Sequence, residues 1–138
     1  MACFLIAEAA GTHDGSYEKA ERLIALAAAI RAQACKFQWC SSPDRLAARR
    51  HAPEYLAAYR TLAFQRDWFP LLKRACEDRG IEFMCTVYLP EDIAVVAPYV
   101  KRFKIASFEA TDAHFIALHA EFGKPLIVSL GMAGRPLQ

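Results

Sequence analysis

Five short apolar runs punctuate the chain: CFLIAE (3–8), ACKFQ (34–38), IEFMCTVY (81–88), RFKIAS (102–107) and KPLIVSLG (124–131). Each has the length of a strand, and stretches with helical periodicity lie between them. From Tyr17 to about Gln33, the residues Ala20, Leu23, Ile24, Ala27, Ala28 and Ile30 recur on one helical face. Ser16 is placed to cap that helix, and Glu18 with Arg22 makes a supporting pair one turn apart. A longer insertion over 39–64 contains PEYLAAY, which predicts a short helix. Asp67 opens a helix that runs to Arg79 and stops at Gly80. PEDIAVVAPYV predicts a short crossover helix, and Thr111 or Asp112 caps a last helix ending before Gly123.

Strand and helix in strict alternation imply an α/β protein with a parallel sheet. A doubly wound open sheet and a (β/α) barrel both satisfy that order. The first would carry a G-x-G-x-x-G turn after its opening strand, and AAGTHDG does not supply one. Walker A is absent as well.

The run ACKFQ poses the chemical question. A central parallel strand is covered on both faces and is normally apolar throughout. Lys36 and Gln38 nevertheless share one face of it, because side chains alternate with period two. Other polar residues fall at or beyond the C-terminal halves of their strands: Glu8, Thr86, Lys104 with Ser107 and Glu109, and Ser129. In a barrel those ends converge on one mouth, where active sites are built. Two lysines from different strands, flanked by hydroxyls, suit a phosphate or a carboxylate. Glu8 and Glu109 on the same rim can serve as acid, base or hydroxyl-binding groups. Each residue also has a plain structural reading. A strand lysine can snorkel from an edge to solvent, and Glu8 can simply end its strand. Thr86 and Ser129 can be ordinary strand residues. His13, His51, His114 and His119 read as surface histidines. The coincidence of polar groups at one end of five strands favours a site.

Composition narrows the class. With 138 residues the chain suffices for one domain, read as a single partial (β/α) barrel over 1–138. A net charge of +2 without basic blocks gives no reason to expect nucleic acid or an anionic membrane. No stretch approaches the roughly 20 apolar residues of a membrane span, and the first apolar run lacks the basic start of a signal peptide. The cytoplasm is the expected compartment. Cys3, Cys35, Cys40, Cys76 and Cys85 are odd in number and form no C-x-x-C pair, so they read as reduced and mostly buried.

Five motifs then occur in order: EAAGTHDGS (8–16), ACKFQ (34–38), GIEFMCT (80–86), FKIASFEATD (103–112) and GKPLIVSLGMA (123–133). Together they resemble the N-terminal barrel of the sialic acid synthases, the N-acetylneuraminate, legionaminate and pseudaminate synthases. Their pattern is roughly E-A-G-x-N-H-x-G, K-F-Q, S-T-P, K-I-A-S-x-E and L-S-T-G-M. The fold implied is a (β/α) TIM-type barrel, of which this chain carries about the first five of eight units. The activity implied is condensation of phosphoenolpyruvate with an N-acylated amino sugar such as N-acetylmannosamine, giving a nine-carbon 2-keto acid. Carried over motif by motif, Lys36, Thr86, Lys104, Ser107 and Ser129 surround the phosphoenolpyruvate phosphate and carboxylate. Gln38 and Glu109 face the sugar and metal side, and Glu8 faces the reacting carbons.

A divalent metal, manganese or magnesium, is implied as cofactor, although the family's metal-binding histidines come from later strands and this chain supplies no metal ligand of its own. The pattern also differs in places. Ala10 stands where the family has Gly, Thr12 where it has Asn, CTV (85–87) where it has S-T-P, and SLGM (129–132) where it has S-T-G-M. A closed barrel of the kind implied needs eight strands and about 250 residues, so the chain reads as truncated. Five parallel strands would expose two edges and an interior face, so a homo-oligomer is expected. Two alternatives stay open: a non-catalytic anion-binding barrel fragment completed by another polypeptide, and a related phosphoenolpyruvate-dependent sugar-acid synthase.

Overall fold

Alternation along each strand sorts the side chains into two faces, and strand pairing keeps those faces in register. The computed structural model describes residues 3–132. Its five strands are β1 (Ile6–Ala10), β2 (Ala34–Gln38), β3 (Glu82–Thr86), β4 (Phe103–Ile105) and β5 (Leu126–Val128). All neighbours are parallel, and the spatial order is β1-β2-β3-β4-β5. A doubly wound sheet would reverse its order part-way. The strictly sequential order is that of a barrel segment.

Register sets Glu8 beside Lys36, Lys36 beside Met84, Gln38 beside Thr86, Thr86 beside Lys104, and Lys104 beside Ile127. These residues line the inner face. Cys35, Phe37, Phe83, Cys85, Phe103 and Ile105 point the other way into the main core, each at most 2% exposed. Helix α1 (Tyr17–Ala29) contributes Ala20, Ile24 and Ala27 to that core, and α4 (Trp68–Glu77) contributes Phe69, Leu72 and Cys76. Helices α5 (Pro90–Val96) and α6 (Ala113–Ala120) add Ile93, Val96 and Phe115.

The capping residues act as expected at two helix starts. The Ser16 hydroxyl accepts from the Lys19 amide, and of the two candidates Asp112 rather than Thr111 caps α6, accepting from the Phe115 amide at 2.9 Å. Element ends differ from the sequence expectation. Helix α1 stops at Ala29 rather than near Gln33, because Arg31 takes a φ of +60° and the Ala32 amide turns back to the Ala27 carbonyl. The first strand begins at Ile6; Phe4 and Leu5 precede it and are exposed. The last three strands are shorter than their apolar runs, since pairing ends where the chain enters the mouth loops.

The insertion after β2 folds into more than one short helix. Besides the stretch Pro53–Tyr55 leading into α3 (Leu56–Arg60), it forms α2 (Pro43–Arg49), capped by Ser42 with Pro43 in the first turn. A second apolar cluster of Cys40, Leu46, Tyr59, Leu62, Tyr88 and Leu89 glues this unit beside the mouth. Burying Leu46 completely is worth about 2 kcal/mol. Trp39 pins the exit of β2 by donating its indole N–H to the Phe64 carbonyl at 2.9 Å. Gly11 lets the first mouth loop touch this insertion: a Cβ there would lie 2.9 Å from Leu62 Cδ2 and 3.1 Å from the Thr61 carbonyl oxygen.

Two histidines expected at the surface are buried. His13 is fully enclosed, with Nδ1 accepting from the Gly15 amide at 3.0 Å and its ring edge-on to Phe64 and Trp68. The loop folds under the aromatic residues of the insertion, a long-range packing that polar loop composition conceals. His119 is equally buried, because position 119 of α6 faces Phe103 and Phe115. Its Nδ1 donates to the Phe115 carbonyl at 2.9 Å. His51 and His114 are exposed as expected. Cys3 is exposed, and the other four cysteines are free and buried. Burial pushes the Cys35 thiol up to about 12 and that of Cys40 to about 11, so neither is a ready nucleophile.

Candidate functional site

The site begins at an irregularity in β1. Glu8 pairs in register with Lys36, and Ala10 then pairs with Phe37, so Ala9 is an extra residue. Ala10 adopts a φ of +49°, in the left-handed region. Its amide donates to Glu8 Oε1 at 3.1 Å, and the Thr12 hydroxyl and amide both donate to the Ala9 carbonyl. This folded-back loop fixes the Glu8 carboxylate, whose other oxygen forms an ion pair with Lys36 Nζ.

Lys36 is 5% exposed in the middle of β2 and also donates to Thr86 Oγ1 at 3.3 Å. Two strands over, Lys104 Nζ donates to Ser129 Oγ at 2.5 Å and to the Ile105 carbonyl at 2.9 Å. Burial lowers the Lys104 pKa first, and the positive charge of Lys36 lowers it further. The two ammonium groups therefore share one inner face and feel each other. An anion placed there would relieve both effects.

Glu109 is drawn elsewhere. It is 3% exposed, and its Oε1 accepts twice from Arg50, from Nε at 2.8 Å and from Nη2 at 2.5 Å. Arg50 stands at the end of α2, with its guanidinium over the rings of Tyr59, Tyr88 and Phe108 at 4.7–5.4 Å. Burial raises the Glu109 pKa, and Arg50 opposes that rise. A cavity of about 310 Å³ is lined by Gln38 and Ser107 together with Arg50, Tyr59 and Tyr88. Ser107 also neighbours the loop after β5, since a Cβ on Gly131 would lie 3.7 Å from its Cβ. Ala133, the end of the fifth motif, lies outside the described residues.

The eight residues singled out in the sequence thus fall into two adjoining groups. Glu8, Lys36, Thr86, Lys104 and Ser129 form the cationic floor, while Gln38, Ser107 and Glu109 adjoin Arg50. Sequence reasoning missed Arg50, which reads as one of a short surface pair with Arg49. It also missed Asp92, fully buried at the start of α5, which accepts from the Ser41 amide at 3.0 Å and ties the β2 exit to α5. Burial raises the Asp92 pKa, opposed chiefly by the Ser41 hydrogen bonds. A carboxylate two residues after a proline in a mixed segment carries no signal of that burial.

Among the described residues, no three His, Cys, Asp or Glu side chains gather to hold a metal ion. Glu8 is engaged by Lys36 and Glu109 by Arg50, so the donor set of the described residues does not fit a divalent cation. Nor, among those residues, is any helix long and apolar enough to cross a membrane.

Residues 23–136 match the NeuB family. The chain is 33% identical to the N,N'-diacetyllegionaminic acid synthase of Legionella pneumophila, over 96% of its own length and 40% of that protein. It is 31% identical to the pseudaminic acid synthase of Campylobacter jejuni, over 94% of its length and 41% of that protein. The N-acetylneuraminic acid synthetase of Leptospira borgpetersenii, solved with citrate, superposes with a TM-score of 0.87 at 29% identity, covering 97% of this chain and 46% of that one. The chain therefore spans about 40% of the length of the curated relatives it matches.

Proposed function

We propose, from the premise that this chain belongs to the NeuB family, that it forms the phosphoenolpyruvate-binding part of a sugar-acid synthase. The reaction is condensation of phosphoenolpyruvate with an N-acylated amino sugar of the N-acetylmannosamine type. A bond forms between the methylene carbon of phosphoenolpyruvate and the sugar aldehyde carbon, whose oxygen takes a proton. Water adds at the adjacent carbon, inorganic phosphate departs, and a nine-carbon 2-keto acid results.

One observation carries this reading: Lys36 and Lys104 project from one face of the sheet, each backed by a hydroxyl, Thr86 for the first and Ser129 for the second. Neutralising a phosphate and a carboxylate on one small molecule calls for such an arrangement of donors. Glu8, about half exposed and fixed beside Lys36, would give a proton to the aldehyde oxygen or take one from the attacking water. Gln38 and Ser107 border the neighbouring cavity, where the amino sugar would lie against Arg50 and Tyr88. A divalent metal, if the full synthase uses one, takes its ligands from outside this chain's own donor set.

Calorimetric titration with phosphoenolpyruvate tests the proposal. Removing one charge-assisted contact costs about 1.5–3 kcal/mol, so Lys36→Met and Lys104→Met should each weaken binding roughly tenfold or more. Lys101→Met, at an exposed position before β4, should leave it unchanged. Equal affinities in all four proteins would remove the proposal.

A further inference from the structure

The cavity of about 310 Å³ that Gln38 and Ser107 border has two unlike sides. Those two residues, from the end of β2 and the loop after β4, give one side an amide and a hydroxyl. The insertion gives the other. In the run LAAYRTL (56–62), Ala58 and Leu62 stand one helical turn apart, and Tyr59 follows Ala58 directly. All three line this cavity. Ala58 is exposed, while Tyr59 and Leu62 each keep 9% of their surface and are anchored in the second apolar cluster. This wall is held still. The Thr61 hydroxyl donates to the Ala58 carbonyl at 2.7 Å, and the Leu62 amide donates to the Tyr59 carbonyl at 3.1 Å. Gly11 closes on Leu62 from the first mouth loop, so tightly that no Cβ fits between them.

Among the described residues that line this cavity, Arg50 is the one that carries a charge. Its partner Glu109 does not line it, so the charge the cavity meets is positive. A guanidinium has five N–H donors, and two of these go to Glu109. Donors remain beside an apolar wall, the pairing that an acylamido group requires. We infer that Ala58, Tyr59 and Leu62 form a specificity wall that receives the acyl group of the amino sugar. Its methyl packs on Ala58 and Leu62 beside the Tyr59 ring, and its carbonyl oxygen accepts from Arg50. This role of the wall rests on the synthase reading for the sugar, and names the residues that choose its substituent.

Such a wall separates an acylated sugar from a free amine in two ways. Seating the methyl takes apolar surface of both partners out of water. An ammonium has no methyl to bury and meets Arg50 at short range, where like charges repel. An unsubstituted sugar escapes the repulsion but leaves the wall wet. The order of affinity is therefore N-acetylmannosamine, mannose, and last protonated mannosamine, with at least about a tenfold gap between first and last. The volume lies at the small end of the range for ligand sites, which suits a monosaccharide with a short acyl group.

Calorimetric titration of the parent, Ala58→Asp and Ala57→Asp tests this, with the three sugars at a mildly acidic pH that keeps mannosamine protonated and, separately, with phosphoenolpyruvate. Ala57 and Ala58 are adjacent exposed residues of α3, and of the two Ala58 lines the cavity. The variants thus place the same charge on the same helix, inside the cavity and outside it. Ala58→Asp should bind N-acetylmannosamine about tenfold more weakly and mannosamine more tightly, so that the preference shrinks or reverses. Ala57→Asp should match the parent with every sugar, and all three proteins should bind phosphoenolpyruvate alike. A parent that holds N-acetylmannosamine and mannosamine equally, or two variants that shift alike, overturns the inference. A parent that binds phosphoenolpyruvate but no sugar also overturns it. The expected sugar pattern without phosphoenolpyruvate binding refutes the synthase reading and leaves the wall standing, whereas a parent that binds none of the four ligands refutes both.

Discussion

Ala10 offers a quantitative test of the strained turn that holds Glu8. Its φ of +49° places a residue with a side chain in the left-handed region, at the position where the sialic acid synthase pattern carries glycine. That conformation costs an L-residue about 1–2 kcal/mol. Ala10→Gly removes the cost in the folded state but gives the unfolded chain more freedom, worth about 0.5–1 kcal/mol. It also deletes a half-buried methyl group, worth about 0.4 kcal/mol. The net change is close to zero, tending to stabilise by a few tenths of a kcal/mol.

The neighbouring Ala9 supplies the comparison. It is 4% exposed and belongs to the core. Ala9→Gly meets the same unfolded-state cost and loses a fully buried methyl group, with no strain to relieve, so it should destabilise by about 1.5 kcal/mol. The two variants should differ by about 2 kcal/mol. With a urea slope of about 2 kcal/mol per molar, the unfolding midpoints separate by about 1 M. Circular dichroism through a urea series measures this directly. If Ala10→Gly loses as much stability as Ala9→Gly, the left-handed turn carries no strain and the account of β1 is wrong.

Two further outcomes concern stability. Burial lowers the His119 pKa, with only the Phe115 carbonyl opposing. Below its ordinary value of 6.5 the unfolded chain takes up a proton that the folded one refuses, so stability falls as pH drops from there. His119→Leu should flatten that decline by up to about 1.4 kcal/mol per pH unit, read from urea midpoints between neutral and mildly acidic pH; identical slopes in parent and variant would contradict it. Lys124 donates to the Ala97 and Val100 carbonyls at 2.5 and 2.6 Å, closing the end of α5 far from the mouth. Lys124→Met should cost about 1–2 kcal/mol and lower Tm by about 3–6 °C in a thermal melt, whereas an unchanged Tm would show these contacts to be idle.

What could be read from the sequence was what depends on local periodicity. ACKFQ declares a strand with one polar face, and its five residues coincide with β2. Ser16 announces a helix start that the backbone confirms, and Gly80 takes the left-handed φ of +70° expected after a helix, although α4 itself ends at Glu77 rather than Arg79. The grouping of Lys36 with Thr86, and of Lys104 with Ser129, follows from strand parity once the sheet is known to be parallel. What stayed hidden depends on distant packing. Helix α2 has seven residues and no long apolar stripe; its Leu46 is buried by contacts with the insertion and the loop after β3. His13 is polar in composition and interior in fact, and Arg50 is largely covered, because aromatic side chains brought from elsewhere pack on them. No local pattern encodes such an enclosure.

The sequential strand order carries a kinetic consequence. Each strand pairs only with the one made just before it and the one made just after. Such a sheet can grow vectorially from its N-terminal end, laying one stave beside the last without waiting for distant chain. Growing in that order, the sheet would set the Glu8–Lys36 pair as soon as β2 docks, before the strands that carry Thr86, Lys104 and Ser129 have joined.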